Sequence, residues 1–458
     1  MSDAEDFFGE AARWQSWLDV EGELALAQAE LGMIPDWAGQ RIADAARLDR
    51  IDTDRLRTLS RRIMAPVAAL AQVLADSAGA EAGAYVHWGA TTQNVIDTGR
   101  LLVLRRFQDR LSGAIADVLD RLSNMADDTA RTVAVGRTNR QHALPITFGF
   151  KVAGWIEDVL RVADQLDEVG PRLFQLRFGG AIGAYQSFGE YGPRLADALA
   201  RRLGLGAALV PNRTGTAPLI EYLTKLATLG LVAGRIADEL YLLMQQEIAE
   251  VHETLGDGVV GSSTMPHKNN PKLVVELRAN ANLLRGRGAA ALSVPPSTHE
   301  GDAATNRELR GLTEDTCPAA LKVIRDLDHT LAAIEVDAGR LRDNAMLHFE
   351  FLAMEAVMMR LAPHLGRQAA HDLLHALVDR ARAEGASLRG LLEDDPDISA
   401  HLDADALDTL LDPAQNSGQS AAIARAAADA GRARAATLRA AQRSATAAAV
   451  SGHAARSA

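Results

Sequence analysis

Between residues 217 and 251, apolar side chains recur in steps of four and three: Leu219, Leu223, Leu226, Gly230, Ala233, Ala237, Leu240 and Met244. That spacing is a heptad seam and predicts a single helix of about 35 residues. A second stripe, Leu229, Ile236 and Leu243, widens the apolar face, so the helix belongs inside a bundle rather than on a surface. Gly230, Ala233 and Ala237 leave room for close approach of a neighbour. The same reading predicts helices over 14–31, stopped by Gly32 and Pro35, over 101–127, and over 151–169, ended by Gly170 and Pro171. Further helices fit 272–292, 307–347 and 351–384. Period-two runs of β-branched residues are scarce, so the expected fold is all-α, with three helical domains and a central long-helix bundle. Residues 1–100 form the expected N-terminal domain, 101–350 the bundle and 351–430 a small C-terminal domain. Residues 431–458 read as a low-complexity Ala/Arg/Ser tail, frayed or disordered, with no assigned chemistry.

The totals narrow the function. A chain of 458 residues exceeds one ordinary core. Its net charge of −12 argues against nucleic acid or an anionic membrane as the main partner. No apolar run is long enough for a transmembrane helix, and the acidic start MSDAEDFFGE lacks a secretory pattern. One cysteine, Cys317, excludes an internal disulfide and fits a reducing cytoplasm.

Two motifs mislead. GDGVVG at 256–261 is a literal G-x-G-x-x-G, but a dinucleotide turn needs a strand before it and a helix after it, whereas here a long helix precedes and Pro266 and Pro271 follow. Its glycines read as hinges of a mobile lid. HDLLH at 371–375 resembles a zinc helix, but Asp372 stands where a metalloprotease has glutamate, and an exposed helix face is the expected role. No metal and no cofactor are expected.

Three polar stretches interrupt the helical pattern: HWGATTQNVIDT at 87–98, GRTNRQHALPIT at 136–147 and GSSTMPHKNNP at 261–271. Together they suggest one composite polar site. Thr91, Thr92, Arg137, Thr138, Lys268 and Asn270 are donors suited to carboxylates. Ser262 and Ser263 lie on a loop that could deliver them to a substrate. A serine becomes a base only where its alkoxide is stabilised, as Lys268 and backbone N–H groups could do. Such a base suits removal of a proton beside a carboxylate.

GSSTMPHKNNP resembles the GSSxMPxKxNP loop of the fumarase/aspartase superfamily, and the other two stretches resemble its remaining shared regions. LDVEGELALAQAELGMIP, RFGGAIGA and LLMQQEIAEV are similar to the branch of adenylosuccinate lyase and 3-carboxy-cis,cis-muconate cycloisomerase. The resemblance covers roughly residues 10–430. It implies an all-α homotetramer whose sites are each assembled from three chains, and a cofactor-independent β-elimination that releases fumarate from a small dicarboxylate. It implies Ser262 as base, Lys268 and Asn270 holding a substrate carboxylate, Thr91 and Thr92 as a carboxylate-binding pair, Gln245 as a substrate contact and His87 as a site histidine.

The departures from the family pattern bear on substrate. Lyases of this type read G-R-T-H, where the histidine is the general acid, but here Asn139 occupies that position. An amide does not donate a proton at neutral pH, and loss of such an acid costs about 10²–10⁴-fold. His142 matches a second histidine of some relatives and is the candidate substitute, with a structural role as the alternative. Cycloisomerases carry Trp at position 139. Gly301 and Asn306 replace the arginine and serine that hold a nucleotide phosphate, leaving Arg310, and Asn94 replaces an acidic residue. The expected reaction is elimination from a small substituted succinate whose leaving group departs as a stable anion such as nitrite. Lactone chemistry on a carboxymuconate is the alternative reaction, and a catalytically silent scaffold is the alternative class.

Overall fold

The computed structural model describes residues 3–256 and 258–455. Helix α1 (Glu10–Glu30) leads into an N-terminal unit whose core holds Trp14, Leu18, Ile42, Leu56, Leu70 and Leu74. The bundle follows. Its elements are α2 (Thr92–Asp128), a hairpin of β1 (Val133–Thr138) and β2 (Gln141–Thr147), α3 (Phe148–Leu173), α4 (Ala217–Leu243), β3 (Val251–Glu253) and α5 (Leu273–Ala290). Then come α6 (Ala303–Ala333), β4 (Ile334–Val336) and α7 (Ala338–Met346). A separate cluster of Val357, Leu361, Leu374, Leu388, Ile398 and Leu407 builds the C-terminal helical unit, and α8 (Ser420–Ala455) returns to the bundle. No described helix is long and apolar enough to cross a membrane. The all-α fold expected from the apolar period is the fold observed.

The seam on α4 is buried from Leu219 to Leu240, as is the stripe of Leu229, Ile236 and Leu243. Gly230 lies at a close approach to α5: a Cβ there would stand 2.9 Å from the Ala281 carbonyl oxygen. The helix is shorter than its pattern predicts. It ends at Leu243, and Ala249 turns left-handed at φ +51°, which redirects the chain so that Val251–Glu253 pairs antiparallel with Ile334–Val336. The helix expected over 307–347 is correspondingly broken. Asp337 accepts from the Arg340 N–H at 2.8 Å and starts α7 afresh, after the β-branched Ile334 and Val336 have been drawn into the ladder. Helix α3 runs past Gly170 and Pro171 to Leu173; Pro171 gives up its N–H bond to the preceding turn, and the helix ends two residues later.

Residues 431–455, expected as a frayed helix or a disordered tail, continue α8, which packs along α2 and α3. Ala428, Ala435 and Leu438 are buried in the central core, while Arg432 meets Asp127 at 2.6 Å and Arg439 meets Asp117 at 2.7 Å. Alanine-rich composition looked like low complexity because it lacks large apolar residues, yet small side chains are what a closely approaching helix requires. Residues 456–458 lie outside the described residues.

A Cβ at Gly431 would stand 2.4 Å from Ser123 Oγ and 3.3 Å from Ile156 Cγ2. Gly431→Leu gains about 1 kcal/mol of helix propensity. Overpacking costs about 1–3 kcal/mol, so the variant is expected to unfold at lower urea concentration with an unchanged slope. A higher midpoint would mean that α8 lies farther from α2 than described.

Candidate active site

Helix α2 sets the geometry. Its 37 residues span about 55 Å. Thr91 and Thr92 stand at its N-terminal end, and the hairpin carrying Arg137, Thr138, Asn139 and His142 follows its C-terminal end. One chain therefore does not bring these groups together.

At the first end, Thr91 is the N-cap of α2, and its N–H donates to Asn94 Oδ1 at 3.3 Å. Asn94 is buried, and its Nδ2 reaches the Arg177 carbonyl at 3.5 Å. The amide that replaces an acid in the shared pattern thus secures the backbone of the threonine pair. His87 adopts φ +59°, and its Nδ1 lies 2.6 Å from Glu21 Oε1 on α1. Burial pulls the His87 pKa down, but the hydrogen bond and charge of Glu21 outweigh it and hold the imidazole above its ordinary value.

At the second end, Asn139 and Arg140 form the hairpin tip with φ +51° and +64°, and Arg137 pairs in register with His142. This stretch reads as loop in sequence; the two left-handed tip residues allow a tight hairpin. Thr138 and Asn139 are exposed. Arg137 is directed to a partner within the chain: its Nη1 donates to Glu250 Oε2 at 3.0 Å, and Asn344 Nδ2 donates to Glu250 Oε1 at 2.8 Å. The His142 ring centroid lies 5.7 Å from that of His348, and His142 Nδ1 is buried without a hydrogen-bond partner. Burial, then the charge of Arg137 and the neighbouring His348, lower the His142 pKa against the opposing Glu250. His142 is therefore neutral at pH 7. Gln245 is exposed in the turn after α4.

The Ser262 loop joins β3 to α5 beside this second end. Glu253 anchors its far side, accepting from the N–H groups of Lys272 and Val274 at 2.7 Å each. Ser262 Oγ accepts from the Met265 N–H at 3.1 Å and the Thr264 N–H at 3.4 Å. Among the described residues the Ser263 hydroxyl meets only Thr264, and the Lys268 ammonium has no ion pair. Asn270 lies at the loop's half-buried end. Gly256–Gly261 leads into this loop, not into a helix. His371 and His375 are exposed and face Asp372 and Asp379 on their own helix. Among the described residues no group of three His, Cys, Asp or Glu is placed to hold a metal ion.

Sequence reasoning missed Glu21, Glu250, Glu253 and Asn344, whose burial is their only distinguishing feature. EIAEVHE reads as a charged helix face until the chain turns at Ala249.

Replacing Glu21 with Gln removes what holds His87 up, so its NMR titration is expected to fall below the ordinary value of about 6.5. In the native protein the pair's stabilisation is complete below about pH 6.5 and is lost as pH rises through the raised folded-state value. Glu21→Gln should abolish that loss. An unmoved His87 titration would exclude the pairing.

Residues 5–285 match the family described as Lyase, and residues 350–427 match that described as Adenylosuccinate lyase C-terminus. The chain is 37% identical to a 3-carboxy-cis,cis-muconate cycloisomerase of Pseudomonas aeruginosa, over 91% of each chain. It is 34% identical to an N-acetyl-S-(2-succino)cysteine lyase of Dickeya dadantii, over 90% of each. The crystal structure of a fumarate lyase from Mesorhizobium sp. BNC1 superposes with a TM-score of 0.84 at 30% identity, covering 93% of this chain and 97% of that one. The helical bundle, its Ser loop and these likenesses agree: the chain belongs to the fumarase/aspartase superfamily of lyases, in the branch of adenylosuccinate lyase and 3-carboxy-cis,cis-muconate cycloisomerase.

Proposed function

We propose that the protein is a cofactor-independent lyase that eliminates a stable anion from a small substituted succinate to give fumarate, with Ser262 as base. The observation that carries this reading is the Ser262 hydroxyl, which already accepts two backbone N–H groups on a loop that also carries Lys268, a cation without an ion pair among the described residues. Those donors favour an alkoxide and so strengthen a weak base. Ser262 takes the proton beside one carboxylate. Thr91, Thr92, Lys268 and Asn270 hold the carboxylates while charge builds on that carbon. Ser263 and Gln245 complete the polar lining, and Glu21 favours the cationic form of His87 against the pull of burial.

The leaving-group side supports an anion. Asn139 cannot donate a proton, and the depressed pKa of His142 leaves it neutral at pH 7. A group that departs unprotonated, such as nitrite or a thiolate, needs neither. Arg310 lies 3.8 Å from Glu314, and Gly301 and Asn306 stand where the resembling lyases have the arginine and serine that hold a nucleotide phosphate, which disfavours a nucleotide substrate. The 37% identity to a cycloisomerase favours a second reading, closure of 3-carboxymuconate to a lactone at the same serine. The intact set of Ser262, Lys268 and Asn270 weighs against a silent scaffold. Buried Cys317, its thiol pushed up by burial, fits a reducing cytoplasm.

The 55 Å separation along α2 supports sites shared between copies, as in a homotetramer. Exposed Leu231 and Leu283 on α4 and α5 offer apolar surface for that assembly.

The reverse reaction tests the chemistry. Fumarate with nitrite, hydroxylamine, ammonia or N-acetylcysteine in heavy water should yield one monodeuterated succinate by proton NMR. Ser262→Ala should lower the rate by at least about 10²-fold. Turnover that survives this change would remove Ser262 as base; conversion of 3-carboxymuconate alone would favour the cycloisomerase. Sharing is tested separately: mixing Ser262→Ala and Thr91→Val proteins should restore activity, and none after proven subunit exchange would exclude it.

A further inference from the structure

A small cavity lies about one and a half to three and a half turns along α2 from Thr91 and Thr92, walled by Asp97, Arg100, Arg177, Arg213 and Asn306 over a floor of Leu101, Leu104 and Leu219. Its volume is about 50 Å³, room for a group of a few heavy atoms. Three arginines face one acid, and that acid is already engaged: Arg100 Nη2 binds Asp97 Oδ1 at 2.6 Å. Among the described residues the Arg177 guanidinium has neither a hydrogen bond nor an ion pair. Arg213 donates through Nη1 to the Ala181 carbonyl at 2.7 Å, but its Nε is buried without a partner. Asn306 Nδ2 is likewise buried and unpartnered. Burial lowers the Arg177 pKa; Asp97 opposes this and Arg100 adds to it. Unpaired cationic donors over an apolar floor are unfavourable unless an anion completes them.

The cavity is walled in part by the same helix whose N-terminus carries Thr91 and Thr92, although neither threonine lines it. Asn94, which secures the Thr91 backbone, reaches the carbonyl of Arg177 itself. Asp97 is about 9 Å from Thr91 along the helix, within reach of one small extended molecule.

We propose that Arg177 and Arg213, with Asn306, form a subsite for a third anionic group of the substrate, a carboxylate beyond the two of its succinyl unit. This rests on the reading of the site as one for a substituted succinate. It makes Arg177 and Arg213 the residues that select a substrate whose departing arm is itself charged.

Binding of two inert acids to the full assembled protein, measured by calorimetry, tests this without turnover. Hexane-1,2,6-tricarboxylate carries the third carboxylate on a flexible arm; 2-pentylsuccinate is its match without it. The tricarboxylate should bind at least about tenfold tighter, and Arg177→Gln and Arg213→Gln should each remove most of that preference while leaving 2-pentylsuccinate binding unchanged. Arg177→Lys, which keeps the charge, should retain part of it. Should one variant fail to fold by circular dichroism, the other carries the test. Equal binding of the two acids by the native protein, no binding of either, or a preference that survives both substitutions would overturn the proposal. Inorganic phosphate is titrated alongside: phosphate binding that Arg177→Gln removes, without any tricarboxylate preference, would mark a free-anion site and overturn the assignment to substrate. Failure of every nucleophile in the fumarate assay would refute the lyase reading while leaving a tricarboxylate preference standing.

Discussion

A helix of 37 residues is a rod, and the rigidity of α2 governs this molecule. Its apolar residues, from Leu104 through Leu122, are locked into the central core, so it cannot fold back to bring its ends together. Every polar group of the candidate site is therefore committed to one end of the bundle or the other. His87, Thr91, Thr92 and the arginine-lined cavity gather at the first end, and the hairpin, Glu250 and the Ser262 loop at the second.

Buried carboxylates do the positioning at each end. A buried unpaired carboxylate is strongly unfavourable, so each constrains the donors around it. Glu21 fixes His87, Glu250 gathers Arg137 and Asn344, and Glu253 caps the start of α5 and anchors the Ser262 loop. Arg137 shows the consequence. By residue type it suits a substrate carboxylate, and within this chain its guanidinium pairs with Glu250. Among the described residues, Lys268 on the loop and Arg177 over its cavity form no ion pair.

Much of this was legible in the chain. The steps of Leu219, Leu223 and Leu226 foretold a buried helix because helical periodicity is a local property of backbone geometry. The three polar stretches stood out because glycine, proline and hydroxyl residues break that period, and the GSSTMPHKNNP loop carried the family. The β-hairpin was not legible: its strands are short, are interrupted by Gly136 and Pro145, and meet at a polar tip, so they read as loop until Asn139 and Arg140 turn left-handed. Nor was the last helix, since alanine supplies helix propensity but little hydrophobic signal, and only contact with α2 and α3 reveals it as core.

The amino-acid sequence by itself determined the helical class, the bundle seam, the serine loop and the loss of an acid at Asn139, because each rests on residue type and local spacing. Only the tertiary structure decided where α4 stops, which carboxylates are buried, that Arg137 is paired while Arg177 is not, and that the polar stretches lie at opposite ends. Those outcomes depend on which distant side chains meet away from water. Burial turns a charge from a solvated surface group into one that must find a partner, and no local pattern records which partner it finds.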